Sequence, residues 1–196
     1  GTAVDAVPTL KNGSTIGIPS PPAVLMPDGS LIKPGLRDLE RLQGFDADWT
    51  QPAETVARAS VRWSLVGSAV SVPVAQWIGR RLEHPGCFDP ARDAPFPASG
   101  KAPRAARFDG RRRHAVAIGT DPLGLRPPAL ADFLTDREGQ TPLSLKATLG
   151  FLGRTRRAKL RFAPGFIEAV ERHALELGGC PPPKAASPQL ELLQAA

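Results

Sequence analysis

The stretch Leu65-Val66-Gly67-Ser68-Ala69-Val70-Ser71-Val72-Pro73-Val74-Ala75, continued by Gln76-Trp77-Ile78-Gly79-Arg80-Arg81-Leu82, decides how this chain is read. Ser71 suits the cap of a helix, because a hydroxyl accepts hydrogen bonds from the free N–H groups of the first turn. Pro73 fits that turn, where a missing N–H costs nothing. Val74, Trp77, Ile78 and Leu82 recur at helical spacing, which predicts an amphipathic helix to about Leu82 or Glu83. His84-Pro85-Gly86 stops it. A helix start also attracts carboxylates, and Gly67 lets a ligand approach the backbone closely.

Working outward, Arg37 to Gln43 is the next helical pattern upstream. Leu36, Leu39 and Leu42 form its apolar stripe, and Asp38 sits where a carboxylate favours the helix dipole. Gly44 is placed to end the helix in a left-handed conformation, and Phe45 and Trp49 supply apolar bulk after it. Before it, Ala23–Met26 and Ser30–Lys33 flank Pro27-Asp28-Gly29, which predicts a β-hairpin. Pro8 to Ser14 reads as a short extended piece with an Asn12-Gly13 turn. Residues 50–60 read as a polar connection with a short helical possibility near Pro52–Ala57.

Downstream, residues 85–112 are rich in proline, alanine and arginine and predict a surface-hugging linker. Ala115–Ile118 predicts a brief strand and Pro128–Leu134 a short helix. Thr141-Pro142 is expected to open a helix through Leu152, interrupted by Gly153–Arg157. Pro164 opens another, with Phe166, Ile167, Val170, Ala174 and Leu177 inward and Gly178-Gly179 as its stop. Residues 181–196 read as a mobile tail.

Composition narrows the classes. Hydrophobic residues make up 41% of the 196 and charged residues 22%, enough for a globular core. No apolar run approaches the roughly 20 residues that span a bilayer. Cys87 and Cys180 are far apart and give no disulfide framework, and His84, His114 and His173 lie apart from other ligands, so no metal site is expected. The net charge of +6 is uneven: residues 101–161 hold 14 basic and five acidic side chains. Arg111-Arg112-Arg113 and Arg154, Arg156 and Arg157 are candidate contacts to phosphates, since arginine's fork suits that geometry. The alternative is a solvated basic surface. No aromatic residue interleaves with these clusters in a stacking pattern.

Two segments together resemble the last two motif blocks of the cytosine-5 DNA methyltransferases. Arg37-Asp38-Leu39-Glu40-Arg41-Leu42-Gln43-Gly44-Phe45 is similar to the family pattern R-E-C-x-R-L-Q-G-F. Gly67-Ser68-Ala69-Val70-Ser71-Val72-Pro73 is similar to its G-N-A/S-V block, with Ser68 where asparagine is usual. The family's Pro-Cys nucleophile loop, Glu-Asn-Val segment and Phe-x-Gly-x-Gly loop do not occur in these 196 residues. No catalytic residue is therefore assigned.

The resemblance implies an α/β family fragment, locally α+β. Residues 1–36 would be the end of a small β-rich target-recognition domain and 37–84 the C-terminal motif region. The helix would return to a Rossmann-like S-adenosylmethionine domain lying mostly outside these residues. Residues 85–112 would be a linker, 113–180 a basic, mainly helical extension and 181–196 a tail. Gly67, Ser68, Ala69 and Val70 would line the S-adenosyl-L-methionine pocket, shared with a partner polypeptide that carries the catalytic domain. The expectation is the C-terminal part or split subunit of a DNA (cytosine-5-)-methyltransferase, acting on double-stranded DNA in a bacterial cytoplasm and inactive alone. A stand-alone basic DNA-binding protein and an inactive remnant are the other readings left open.

Overall fold

A computed structural model of the chain describes residues 4–11, 22–119, 124, 126–157 and 162–181. The expected Asn12-Gly13 turn and nearly all of the tail lie outside the described residues. In chain order the elements are β1 (Val24–Leu25), β2 (Leu31–Lys33), α1 (Leu36–Gln43), α2 (Val61–Ser68), α3 (Val72–Glu83), β3 (Asp93–Pro95), β4 (Ala106–Phe108), β5 (Arg113–Val116), α4 (Leu130–Phe133), β6 (Thr141–Pro142), α5 (Leu145–Arg157) and α6 (Phe166–Glu176). Short 3-10 turns lie at Gln51–Thr55 and Pro90–Arg92. The chain divides into two compact units, one made of Gly1–Ala69 with Pro127–Ala196 and the other of Val70–Arg126.

The first unit is built around the expected hairpin. Val24 pairs with Ile32 and Leu25 with Leu31, and Gly29 turns the chain at φ 86°, a conformation open to glycine. Because side chains alternate, the hairpin has two apolar faces. Leu25 and Leu31 pack with Leu152, Val170 and Ala174 of α5 and α6. Val24, Met26 and Ile32 pack with Leu130, Phe133 and Leu134 around α4. Residues beyond 127 thus supply both halves of the core that closes on the hairpin. The histidine of α6, His173, is 7% exposed and donates from Nε2 to the Leu143 carbonyl at 2.8 Å.

Three local expectations are corrected here. Thr141-Pro142 is not the start of a helix but an edge strand on β2, and the helix begins at Leu145. An edge position suits Pro142, which has no N–H to give a ladder. Gly153–Arg157 does not interrupt α5, which runs through to Arg157. α6 follows the expected pattern, with Val170 and Ala174 buried, although Leu177 is 40% exposed.

The second unit corrects the expected linker. Its strands form an antiparallel sheet in the order β3-β5-β4, with Asp93 opposite Val116, Pro95 opposite His114 and Phe108 opposite Arg113. The same unit contains α3, which starts after Ser71 and ends before His84 as its sequence dictates, with Pro73 in its first turn. Ser71 makes no side-chain cap bond. No residue of α3 is buried: Val74 is 40%, Ile78 46% and Leu82 80% exposed. None of the described helices is long and apolar enough to cross a membrane.

Candidate functional site

The two motif segments meet inside the first unit through α1 and α2. The latter was not expected from the sequence. Gly44 closes α1 at φ 89°, as its position dictates. Gln43, the last residue of α1, donates from Nε2 to the carbonyls of Val66 at 3.1 Å and Ala69 at 3.4 Å. A side chain near the end of the first motif therefore holds the backbone around the start of the second.

A polar network lies beside that link. Glu40 is fully buried in α1 and accepts from the backbone N–H groups of Asp48 at 2.6 Å and Thr50 at 2.9 Å, and from the Thr50 hydroxyl. Arg62 of α2 reaches into the same place. Its guanidinium donates to Glu54 at 2.8 Å, Asp48 at 3.0 Å, Glu40 at 3.3 Å and the Thr50 hydroxyl at 3.0 Å. Burial opposes the Arg62 charge, but the bonds to Glu54, Asp48 and Glu40 outweigh it and raise the pKa further. The Asp48 carboxyl is held below its usual range, first by its hydrogen bond from Arg62 and then by Arg37, which donates to it at 2.8 Å. Asp48 sits at φ 65°, a conformation that aspartate tolerates better than most residues, so these partners fix a strained turn.

Asp38 lies in the first turn of α1, as expected, and also makes contacts the sequence did not indicate. Its carboxylate is fully buried and accepts from the N–H groups of Thr135 and Asp136 at 3.1 and 3.0 Å. It also accepts from Arg41 at 2.9 Å. Arg41 donates further to the Phe133 carbonyl and the Thr135 hydroxyl, and lies 4.4 Å from the centre of the Phe133 ring. Asp38, Arg41, Thr135 and Asp136 line an open cleft of about 390 Å³. Phe45 and Trp49 stack on each other at 5.7 Å, yet Trp49 stays 59% exposed and anchors no core.

The four residues expected at the cofactor are not arranged at a helix start. Gly67 and Ser68 are the last residues of α2, Ala69 follows in an extended conformation, and Val70 opens the second unit. Ser68 and Val70 are exposed. Helix-start donors come after Ser71: the first intrahelical bond runs from Ala75 N–H to the Ser71 carbonyl, which leaves the N–H groups of Val72 and Val74 free of the helix ladder. Pro73 has no N–H to offer.

The arginine candidates separate. Arg111, Arg112 and Arg113 belong to the second unit and are exposed. Arg154 is exposed on α5 in the first unit. Arg156 lies between α5 and α6, bonded to Glu171 with its side chain 13% exposed, so it is committed to holding the helices together. Arg157 ends α5, and its side chain lies outside the description.

Sequence reasoning missed Arg62 altogether. Its only signal was an arginine flanked by Val61 and Trp63, far along the chain from Glu40.

The first methyltransferase-like segment is tied through Gln43 to the backbone at the start of the second, and the chain is similar over most of its length to a type II methyltransferase. Over 177 residues, 88% of its length, it is 36% identical to the type II methyltransferase M2.BsuMI of Bacillus subtilis (strain 168). The chain spans 45% of the length of that relative. No family model matches the chain, and no solved structure matches it.

Proposed function

We propose that this chain contributes to a DNA (cytosine-5-)-methyltransferase of a restriction–modification system in the bacterial cytoplasm. Double-stranded DNA is the substrate and S-adenosyl-L-methionine the methyl donor. The observation that carries this reading is the bond from Gln43 to the Val66 and Ala69 carbonyls, because it joins the two family motifs in one piece of structure. The relative's identity as a type II methyltransferase supports the same reading.

In this role Gly67, Ser68, Ala69 and Val70 line the amino-acid end of the donor. The free Val72 and Val74 N–H groups suit a carboxylate there. Ser68 supplies a hydroxyl in place of asparagine's amide, a shorter reach with one donor group fewer. The nucleophile and the base-holding glutamate come from a partner polypeptide, on which the apolar side of α3 rests. Arg111, Arg112, Arg113 and Arg154 contact phosphates.

The test is co-expression with a polypeptide carrying a Pro-Cys loop and a Glu-Asn-Val segment, followed by assay of labelled methyl transfer into DNA. Incorporation as 5-methylcytosine, absent from either polypeptide alone, is the expected result. Methyl groups recovered on adenine, or none with such a partner, would overturn the reading.

A further inference from the structure

The sheet of the second unit carries different chemistry on its two sides, because side chains alternate along each strand. The register puts Asp93, Pro95, Arg107 and His114 on one side. There the Asp93 carboxylate pairs with Arg107 and lies 3.8 Å from His114 Nδ1, and the Arg107 guanidinium lies 4.5 Å from the centre of the Phe88 ring. That side is satisfied within the unit.

The other side is bare. It consists of Ala94, Ala115 and Ala106, followed by Phe108 directly across from Arg113. All but Ala115 are exposed, Phe108 at 65%. Alanines make this side flat enough for a large partner to approach. The strand register also places an aromatic ring beside an arginine, which the linear order of residues did not reveal.

At the same end the chain turns through Asp109-Gly110-Arg111-Arg112, with Gly110 at φ 96°. The Asp109 carboxylate accepts the N–H groups of Arg111 and Arg112 at 2.7 Å each, and lies 2.7 Å from His114 Nε2. The backbone bond from Arg112, then His114 and the Arg111 backbone, hold that carboxyl well below its ordinary range. The turn is therefore fixed while its arginines point into solvent. The unit as a whole carries ten basic and five acidic side chains, so a polyanion is the complementary partner.

We infer that the bare side of this sheet and its arginine turn form a docking surface for duplex DNA. Arg111, Arg112 and Arg113 grip phosphates, and Phe108 presses on the sugar edge of a groove. β-sheets are among the elements that proteins lay against DNA grooves. The inference rests on the reading that the chain works on DNA, and it adds a contact separate from target recognition.

The experiment is fluorescence anisotropy of the full chain with a labelled duplex oligonucleotide over a range of salt. Replacing Arg111, Arg112 and Arg113 with alanine is expected to reduce the slope of log affinity against log salt by about two to three, since each lost phosphate contact removes about 0.9. Phe108→Ala is expected to weaken binding about tenfold with the slope unchanged, since it removes buried apolar area and no charge. Thermal melting accompanies each variant. Should the triple variant melt early, Arg111→Glu with Arg112→Glu, both at exposed turn positions, carries the charge test with an expected slope loss of about two. Failure of the full chain to bind duplex, binding to single strands alone, or variants that bind as the parent does would each overturn the inference. Methyl transfer with the partner polypeptide, measured separately, shows whether the DNA reading stands when this surface does not.

Discussion

The α1–α2 pair and α3 are neighbours in sequence and opposites in structure. α1 and α2 are ordered by buried polar groups: Glu40 is fully buried, Arg62 is 8% exposed, and each finds partners within the first unit. α3 has a regular apolar side on which Val74, Ile78 and Leu82 are exposed and Trp77 is half-buried. The pair shows how a chain completes its own interior with charges. The helix shows an apolar stripe whose counterpart is not supplied by the described residues of this chain. Contiguous exposed apolar surface of that kind marks an interaction site. This is the physical basis for placing the partner polypeptide on α3.

The contrast makes predictions that differ in size. Arg62→Ala should have the largest effect, because it leaves Glu40 buried without its cation. A loss of about 3 kcal/mol in urea unfolding is expected. Arg62→Lys should recover only part of it, since an ammonium cannot serve Glu40, Asp48, Glu54 and Thr50 together. A smaller loss, about 2 kcal/mol, is expected for Gly35→Ala, whose added Cβ would collide with the Asp136 carboxylate and lie 3.0 Å from the Gly139 backbone. Gln43→Ala should cost about 1 kcal/mol and should raise hydrogen exchange at the end of α2. Equal exchange there would mean that the two motifs do not depend on that bond.

Acid titration sharpens the same comparison. The folded pKa of Asp48 lies below its unfolded value, with Arg62 as the first cause. Its stabilisation is therefore complete above an unfolded pKa of about 3.9 and is lost as pH falls through the folded value. Asp48→Asn should flatten the acid limb of the stability profile below about pH 4. An unchanged limb would show that the ion pair with Arg62 adds nothing.

What was legible in the sequence was local. The hairpin around Asp28-Gly29, the glycine end of α1 and the limits of α3 follow from turn and cap chemistry within a few residues. The motif segments were legible as a pair by resemblance, and α1 carries the glycine end that was expected of it. The link between them was not legible, because nothing local says that Glu40 needs Arg62 or that Gln43 reaches Val66. The role of the chain beyond residue 127 was hidden for the same reason. Leu152, Val170 and Leu134 look like parts of a separate extension, but their partners are Leu31 and Met26, more than 100 residues away. β3 and β4 escaped notice because proline and arginine interrupt any alternation, whereas the strand expected at Ala115–Ile118 overlaps the end of β5. The pairing of Arg156 with Glu171 was hidden because it depends on how α5 and α6 pack.

The most direct test replaces Val74 and Ile78 of α3 with glutamate. If this helix is a docking element, the double variant alone should unfold within about 0.5 kcal/mol of the parent, as exposed substitutions do. With the catalytic partner present, it should lose methyl transfer and co-purification. A variant that unfolds as early as Arg62→Ala, or one that still supports methyl transfer at the parental rate, would contradict that role for α3.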